Sequence, residues 1–222
     1  MFTAGNLRLR EDPAQWSQVA TALGVSEVLL IRQVHRAEAA VVRRGHSGQW
    51  LPPEADLIVS DDPAVAVGAR VADCAPILIA DPHTGAVAAV HAGWRGTVQR
   101  AAIAGVRTLV GTFGSRATDL MVAIGPCLGA CCGEVGPEVA AAFRDAGHTD
   151  LERWFTPGSG DRLHLDLAGA NRDQLLEGGI PPARVHVAGL CTRSHPDVFH
   201  SYRAAGANAG RMVGAIRAGA RS

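Results

Sequence analysis

Lysine is absent from the 222 residues, so every fixed positive side chain is an arginine, and 21 of these balance 21 Asp and Glu. A formal charge of zero, with no clustered basic stripe, argues against a nucleic-acid partner, whose phosphates select a basic excess. Long apolar runs are missing too: none approaches the about 20 residues needed to span a bilayer, so no membrane partner is expected. The opening residues, Met1 to Asn6, lack the basic and apolar regions of a secretory leader. Cysteine is scarce and odd in number, five in all: Cys74, Cys127, Cys131, Cys132 and Cys191. In a chain of this size that speaks against a disulfide framework and for reduced thiols. These absences together predict a cytoplasmic protein. Aromatics amount to 5%, with Tyr202 the single tyrosine.

What is present is a globular profile, 47% hydrophobic and 19% charged, in a length that suits one domain over residues 1–222. Trp16, Val19, Ala20 and Leu23 fall on one face of a helix over 13–23, with Pro13 in its first turn and Gly24 at its stop. Short apolar runs bounded by turn residues read as strands over 28–31, 39–42, 57–60, 65–71, 76–80 and 86–90. Gly45 to Pro53 reads as a loop. After His91 the period changes, and a helix is expected over 97–113. A buried strand over 120–124, a helix over 137–146, a helix over 167–177 capped by Asp166, and a strand over 184–190 follow. Gly206 to Ala218 reads as a last helix with small residues on one side. Short strands interleaved with helices indicate one mixed α/β (α+β) domain and not a regular parallel array.

Five stretches carry residues fit for chemistry. In Val90-His91-Ala92-Gly93-Trp94-Arg95-Gly96 a strand delivers His91 to a sheet edge, glycines permit a tight turn, and Arg95 opens a helix whose free N–H groups suit an anion. The bland alternative is a strand-to-helix turn with a structural arginine. In Asp73-Cys74-Ala75-Pro76 a bend aims Cys74 into a cleft, or else Cys74 is a buried small hydrophobe. His35, in Gln33-Val34-His35, is a ligand or a hydrogen-bonded structural residue. Two His and one Cys can bind zinc with a fourth position open, but spacings this wide are not a compact local motif. Gly125 to Gly136 contains Cys127, Cys131 and Cys132 without a Cys-x-x-Cys pair, which favours a rigid pocket-shaping loop over a zinc knuckle. Arg193, Tyr202 and Arg203, near Cys191, are candidates for a polar ligand or parts of a solvated loop.

Taken in order, Gln33-Val34-His35, Ala72-Asp73-Cys74-Ala75-Pro76, His91-Ala92-Gly93-Trp94-Arg95-Gly96, Ile124-Gly125-Pro126-Cys127, Cys191-Thr192 and Ser201-Tyr202-Arg203 resemble the YfiH-type laccase-domain family. The resemblance covers the chain from about His35 to about Met212. It implies β-sheets packed between flanking helices and zinc held by His35, Cys74 and His91. It also implies phosphorolysis of adenosine, inosine, guanosine or methylthioadenosine, with adenosine deamination as a side activity. Purine nucleoside and phosphate are then the partners. The chain departs from the family pattern ahead of Asp12, where it looks shortened, at Gly133, where an aromatic is usual, and at Ala204, where a second arginine often stands.

On this reading Cys74 and His91 are catalytic as well as ligating, Asp73 is a possible proton carrier, and Arg95 with the Gly93 turn holds phosphate. Arg193, Tyr202 and Arg203 complete the substrate contacts. Three other readings use the same residues. A copper-dependent polyphenol oxidase needs many imidazoles, and the nine histidines include no His-x-His pair; copper remains possible as the ion on two His and one Cys. A metal-free hydrolase would use Cys74 as nucleophile and His91 as base. A nucleoside-binding module would use the pocket without turnover.

Overall fold

A computed structural model describes residues 1–10 and 12–219. Glu11 and residues 220–222, part of the expected 1–222 span, lie outside the described residues. In chain order the elements are α1 (Pro13–Leu23), β1 (Val28–Leu29), β2 (Ala39–Val42), β3 (Leu57–Ser60), β4 (Ala66–Val71), β5 (Ala75–Ala80), β6 (Val87–Ala92), α2 (Trp94–Val98), α3 (Ala101–Phe113), β7 (Met121–Ile124), β8 (Glu134–Val135), α4 (Pro137–Asp145), β9 (Phe155–Pro157), β10 (Leu163–Leu165), α5 (Leu167–Glu177), β11 (Val185–Val187), α6 (Tyr202–Ala205) and β12 (Met212–Arg217).

Six strands form the central sheet in the order β11-β7-β5-β6-β3-β2, and two three-stranded sheets, β1-β4-β12 and β8-β10-β9, accompany it. The middle of the large sheet is antiparallel, β3 to β6 to β5 to β7, while β2 and β11 join its edges in parallel. Alternate residues of each strand face opposite ways, and both faces are covered. Leu57, Val59, Ile77, Ile79 and Val90 pack with Ala102, Val106 and Leu109 of α3 and with Ala170 and Leu175 of α5. Ile58, Leu78 and Ala89 pack with Leu29 of β1 and Val67 and Ala69 of β4. Val19 of α1 closes over Val213 and Ala215 on the outer face of the small sheet. The layers therefore run helix, sheet, sheet, helix. Double coverage is why β3, β5 and β6 read as continuous apolar runs and not as alternating ones.

Local signals hold where they were strong. Asp12 accepts from the N–H of Ala14 at the start of α1, and Gly24 takes φ 66° at its end. Asp166 caps α5 through Gly169 N–H. Pro76 sits at the end of the β5–β7 pairing, where its carbonyl accepts from Gly125 N–H at 2.9 Å and no regular ladder continues to need its N–H.

Three expectations are corrected. The last segment is not a helix: Met212 to Arg217 pairs antiparallel with β4. Its small residues serve close sheet packing, since a Cβ on Gly214 would lie 2.9 Å from Pro76 Cβ and 3.1 Å from Phe2 Cε1. The helix expected over 97–113 is two helices, broken where Arg100 takes a left-handed φ of 60°. The strand expected over 184–190 shrinks to Val185–Val187, with a 3-10 turn over Pro182–Arg184 before it. Strands of two or three residues, as in β8, β9 and β10, carry too little period to be read from sequence. Among the described residues no helix is long and apolar enough to cross a membrane.

Candidate active site

His91 sits near the end of β6, opposite Pro76 of β5 in the ladder. Cys74 immediately precedes β5, so adjacent strands deliver the two side chains to one end of the central sheet. His35 arrives from a turn after β1. That turn is held by Asp56, a fully buried residue just ahead of β3. The Asp56 carboxylate accepts from three successive N–H groups, Val34 at 3.0 Å, His35 at 2.9 Å and Arg36 at 2.7 Å. These bonds offset the left-handed backbone of His35, φ 61°, which costs a non-glycine residue of order 1 kcal/mol or more. Gln33 braces the same turn by exchanging two hydrogen bonds with the backbone of Arg70, at 2.8 and 2.9 Å.

Asp56 has a second task. His91 Nδ1 donates to its Oδ1 at 2.7 Å, which leaves Nε2 as the free nitrogen and fixes the ring. One ligand atom each from His35, Cys74 and His91 lie within 4.8 Å of one another. The two imidazoles meet edge to face at 4.9 Å between centroids. Gly93 makes the approach possible: a Cβ there would lie 2.8 Å from Cys74 Sγ and 3.3 Å from His35 Cδ2.

Charge is arranged around this group. Burial pushes the Cys74 thiol up, but the charge of His91 and hydrogen bonds from His35 and His91 outweigh it and bring it down to about 6. Burial pulls His91 down, yet the Cys74 thiolate and the Asp56 hydrogen bond raise it to about 9. Burial would raise Asp56 as well; the bonds from His91 and from the Arg36 and Val34 N–H groups hold it below the ordinary carboxylate range.

The three side chains open into a cavity of about 1050 Å³. Asp73, Gly93, Arg95, Tyr202 and Arg203 line it with them, so the structure brings together every expected site residue but one. Arg193 is exposed and does not line the cavity. Asp73 has both carboxylate oxygens engaged, by Thr192 Oγ1 at 2.6 Å and by the Arg203 N–H at 2.6 Å. Arg95 lies over the Trp94 ring, 4.2 Å from its centroid. Its helix, α2, is only five residues long, so charge on the side chain and not a helix dipole is what Arg95 brings.

Sequence reading missed Asp56 and most of the arginines. Arg10, Arg32, Arg70, Arg95, Arg203 and Arg211 all line the cavity, and Asp73 is the lone acid among its lining residues. Arg10 is held by the carbonyls of Ala207 and Ala209, Arg203 by that of Glu134, and Arg211 by those of Ala209 and Gly210. These acceptors are neutral, so the positive charge is oriented without being cancelled. Arg32 differs, pairing with Glu54 at 2.7 Å. Among the arginines, Val71, Leu128, Val135, Leu165 and Leu167 add apolar lining. The loop read as pocket-shaping does contribute, through Leu128 and Gly133. A Cβ on Gly133 would lie 2.8 Å from Leu165 O, so this backbone has no room for the aromatic usual at that position.

A second donor group forms where the same loop meets the segment after β11. Cys131, Cys132 and Cys191 place their sulfurs within 4.8 Å of one another. Burial raises Cys132, with Cys131 and Cys191 adding to it, to about 11. Burial would raise Cys191 too, but hydrogen bonds from Ser194 and the Gly129 N–H bring it down to about 6.

Residues 13–219 match a family model described as multi-copper polyphenol oxidoreductase laccase. A protein named purine nucleoside phosphorylase, from Deinococcus radiodurans, is 38% identical over 205 residues, which cover 90% of this chain and 74% of that protein. One named adenosine deaminase RL5, from an unknown prokaryotic organism, is 34% identical over 208 residues, covering 89% of this chain and 78% of that one. The crystal structure of the hypothetical protein YfiH from Bacillus licheniformis superposes with a TM-score of 0.89 at 25% identity, covering 98% of this chain and 91% of that chain.

Proposed function

Since the chain belongs to the multi-copper polyphenol oxidoreductase laccase family, we propose that it is a zinc-dependent purine nucleoside phosphorylase working at the His35, Cys74 and His91 end of the sheet. The observation that carries this reading is the meeting of those three donors at a cavity lined by both arginines and apolar side chains. Phosphorolysis needs both environments, a cationic one for phosphate and an apolar one for the flat purine.

The donor set fits zinc. Two imidazoles and a thiolate are its usual partners, and three protein donors leave a position open. His91 is oriented by a carboxylate, as a ligating histidine commonly is. When bound, the ion would supply Lewis-acid polarisation of an oxygen at the reacting centre.

The rest of the work falls to the chain. Arg95, Arg203 and the arginines around them hold phosphate against the nucleoside and concentrate it by their field. In the reaction the C1′–N bond breaks, a phosphate oxygen forms the new bond to C1′, and the base leaves with the bonding pair and takes a proton. Positive charge on the ribose ring is then stabilised by the anion that the arginines keep beside it. Tyr202 and the Leu128 wall give the base a surface to lie on. Asp73, with both oxygens engaged, acts as a positioning residue: it ties Thr192 and the Arg203 backbone to the bend that presents Cys74. Arg193 falls out of the contact set. Because all five cysteines are free, a reducing cytoplasm suits a working Cys74.

Adenosine deamination is a second reading, favoured by the relative that bears that name. It would use the same donors, with water replacing the 6-amino group as ammonia. An oxidase needs several imidazole-rich centres, and among the described residues one group of three includes histidine.

The test is hypoxanthine release from inosine, with and without phosphate, alongside Cys74→Ala. Release that requires phosphate and vanishes in the variant is expected. Release without phosphate would overturn phosphorolysis in favour of hydrolysis, and full activity in Cys74→Ala would remove the site.

A further inference from the structure

The turn between β7 and β8 and the segment after β11 gather three thiols behind the cavity wall. None of Cys131, Cys132 and Cys191 lines the cavity itself. Their sulfurs lie within 4.8 Å of one another, and those of Cys131 and Cys132 are 3.7 Å apart. We infer that these three cysteines form a binding site for one soft, thiophilic cation of the copper(I) class, separate from the His35, Cys74 and His91 group and independent of the function proposed above.

Geometry is the first reason. At a metal–sulfur distance of about 2.3 Å, three sulfurs around one ion in a plane stand about 4 Å apart. The observed spread, with one pair at 3.7 Å and all three within 4.8 Å, lies within about 1 Å of that spacing. Cys191 is the fixed point. It is buried, and its neighbours pair with Cys127 in a parallel bridge through Cys127 N–H to Leu190 O at 3.2 Å and Thr192 N–H to Cys127 O at 2.9 Å. Cys131 and Cys132 ride on a turn closed by Cys132 N–H to Gly129 O at 3.0 Å. Cys131 is exposed, which gives an ion a way in. Gly129 keeps the centre clear: a Cβ there would sit 3.1 Å from Cys191 Cβ and 3.6 Å from Cys131 Sγ.

Donor chemistry is the second reason. The group contains sulfur alone, and sulfur-only sets select soft ions. Structural zinc takes four ligands, and among the described residues no fourth donor joins the three. The histidines on the flanking segments bond through Nδ1, His164 to Ala130 O at 2.7 Å and His195 to Cys191 O at 2.9 Å, and neither ring joins the donors that lie within 4.8 Å of one another. A three-coordinate monovalent ion fits what remains. On binding, each protonated thiol that ligates releases its proton to solvent, and the ion keeps its oxidation state. Since Leu128 and Gly133 of the same loop line the cavity, the bound ion would also stiffen one wall of it.

The experiment titrates the full chain with copper(I), supplied anaerobically against bathocuproine disulfonate, in the native protein, Cys74→Ala, Cys131→Ser and the double variant. Cys74→Ala should still take one tightly held copper per chain, with an all-sulfur shell in X-ray absorption. Adding Cys131→Ser should weaken that copper by more than the about 100-fold that loss of an outer-shell partner can cost. If Cys74→Ala does not fold, Cys131→Ser alone should bind one tight copper fewer than native protein. No tight copper in folded Cys74→Ala, an unchanged affinity after Cys131→Ser, a shell containing nitrogen, or stronger retention of zinc than of copper would each overturn the inference.

Discussion

Two groups of three donors lie among the described residues, and they are supported in opposite ways. His35, Cys74 and His91 come from three separate segments, and each is braced by something buried: Asp56 for both histidines, the β5–β6 ladder and the Asp73 bend for Cys74, and the bare Gly93 for the space between them. Cys131, Cys132 and Cys191 come from a surface turn and one fixed backbone position, and no buried polar side chain braces them as Asp56 braces the histidines. The first arrangement is preorganised, with its cost met in folding. The second leaves ordering to whatever occupies it. Preorganisation is what a reacting centre needs, because a donor that must move during the reaction weakens the stabilisation it gives.

The sharpest way to break the comparison is to remove the brace. Asp56→Ala would strand three backbone N–H groups and the Nδ1–H of a buried histidine. A cost of roughly 3–5 kcal/mol is expected, the range for breaking a buried charged pair, read as a fall in the midpoint of chemical denaturation. Asp56→Asn keeps the shape and loses the charge. Its zinc affinity, measured by competition with a chromophoric chelator, should drop by about 10- to 100-fold. If Asp56→Asn binds zinc as the native protein does, the carboxylate is not what orients His91.

Much of the first group was legible because its parts sit in distinctive local sequence. Asp73-Cys74-Ala75-Pro76 and the His91-to-Gly96 turn each combine a reactive residue with a bend-forming neighbour, but His35, at the end of an apolar run, joined them only through the resemblance of the ordered blocks to a family, since spacings this wide form no local motif. Asp56 was not legible. Its partners stand 20 to 35 residues away, and nothing beside it marks it as more than an acid ahead of a strand. The arginine lining was hidden for the same reason, because Arg10, Arg32, Arg70 and Arg211 come from four distant segments that only the fold unites. In the thiol group, Cys131 and Cys132 looked incomplete until Cys191 came alongside through the bridge to Cys127. The misread of Gly206 to Ala218 has a different origin. Its small residues fit a helix face by spacing, but Gly214 faces Phe2 and Pro76, and that contact is tertiary.

The next contrast is chemical. In protein stripped of metal, Cys74 at about 6 and Cys132 at about 11 should differ in alkylation. A depressed thiol is thiolate above its folded value and is lost as pH falls through about 6, whereas a raised one gains thiolate only as pH climbs toward 11. At neutral pH Cys74 is mostly thiolate, and Cys132 is thiolate in about one molecule in 10⁴. Lower intrinsic nucleophilicity of the more acidic thiol takes back about two of those orders. Cys74 should therefore react with iodoacetamide about 100-fold faster, as followed site by site in mass spectrometry, with its rate falling below pH 6. Equal rates at the two sites would mean that the histidines do not activate Cys74.

The smallest expected effect separates two arginines that sequence treated alike. Arg203 lines the cavity with its backbone N–H on Asp73 and its guanidinium on the Glu134 carbonyl; Arg193, two residues from Cys191, is exposed and outside it. A charged hydrogen bond to phosphate is worth about 1.5–3 kcal/mol, so Arg203→Ala should raise the KM for phosphate by about tenfold or more, with a smaller change in the KM for inosine. Arg193→Ala, a surface change away from any cap or core, should stay within about 0.5 kcal/mol, or roughly twofold. The pair also tests the cavity's field. Raising salt screens surface charge, so phosphate KM should climb with ionic strength in native protein and climb less steeply in Arg203→Ala. Matching KM values and salt slopes in the two variants would mean that phosphate is held elsewhere, and that the bracing by Asp73 serves the Cys74 bend alone.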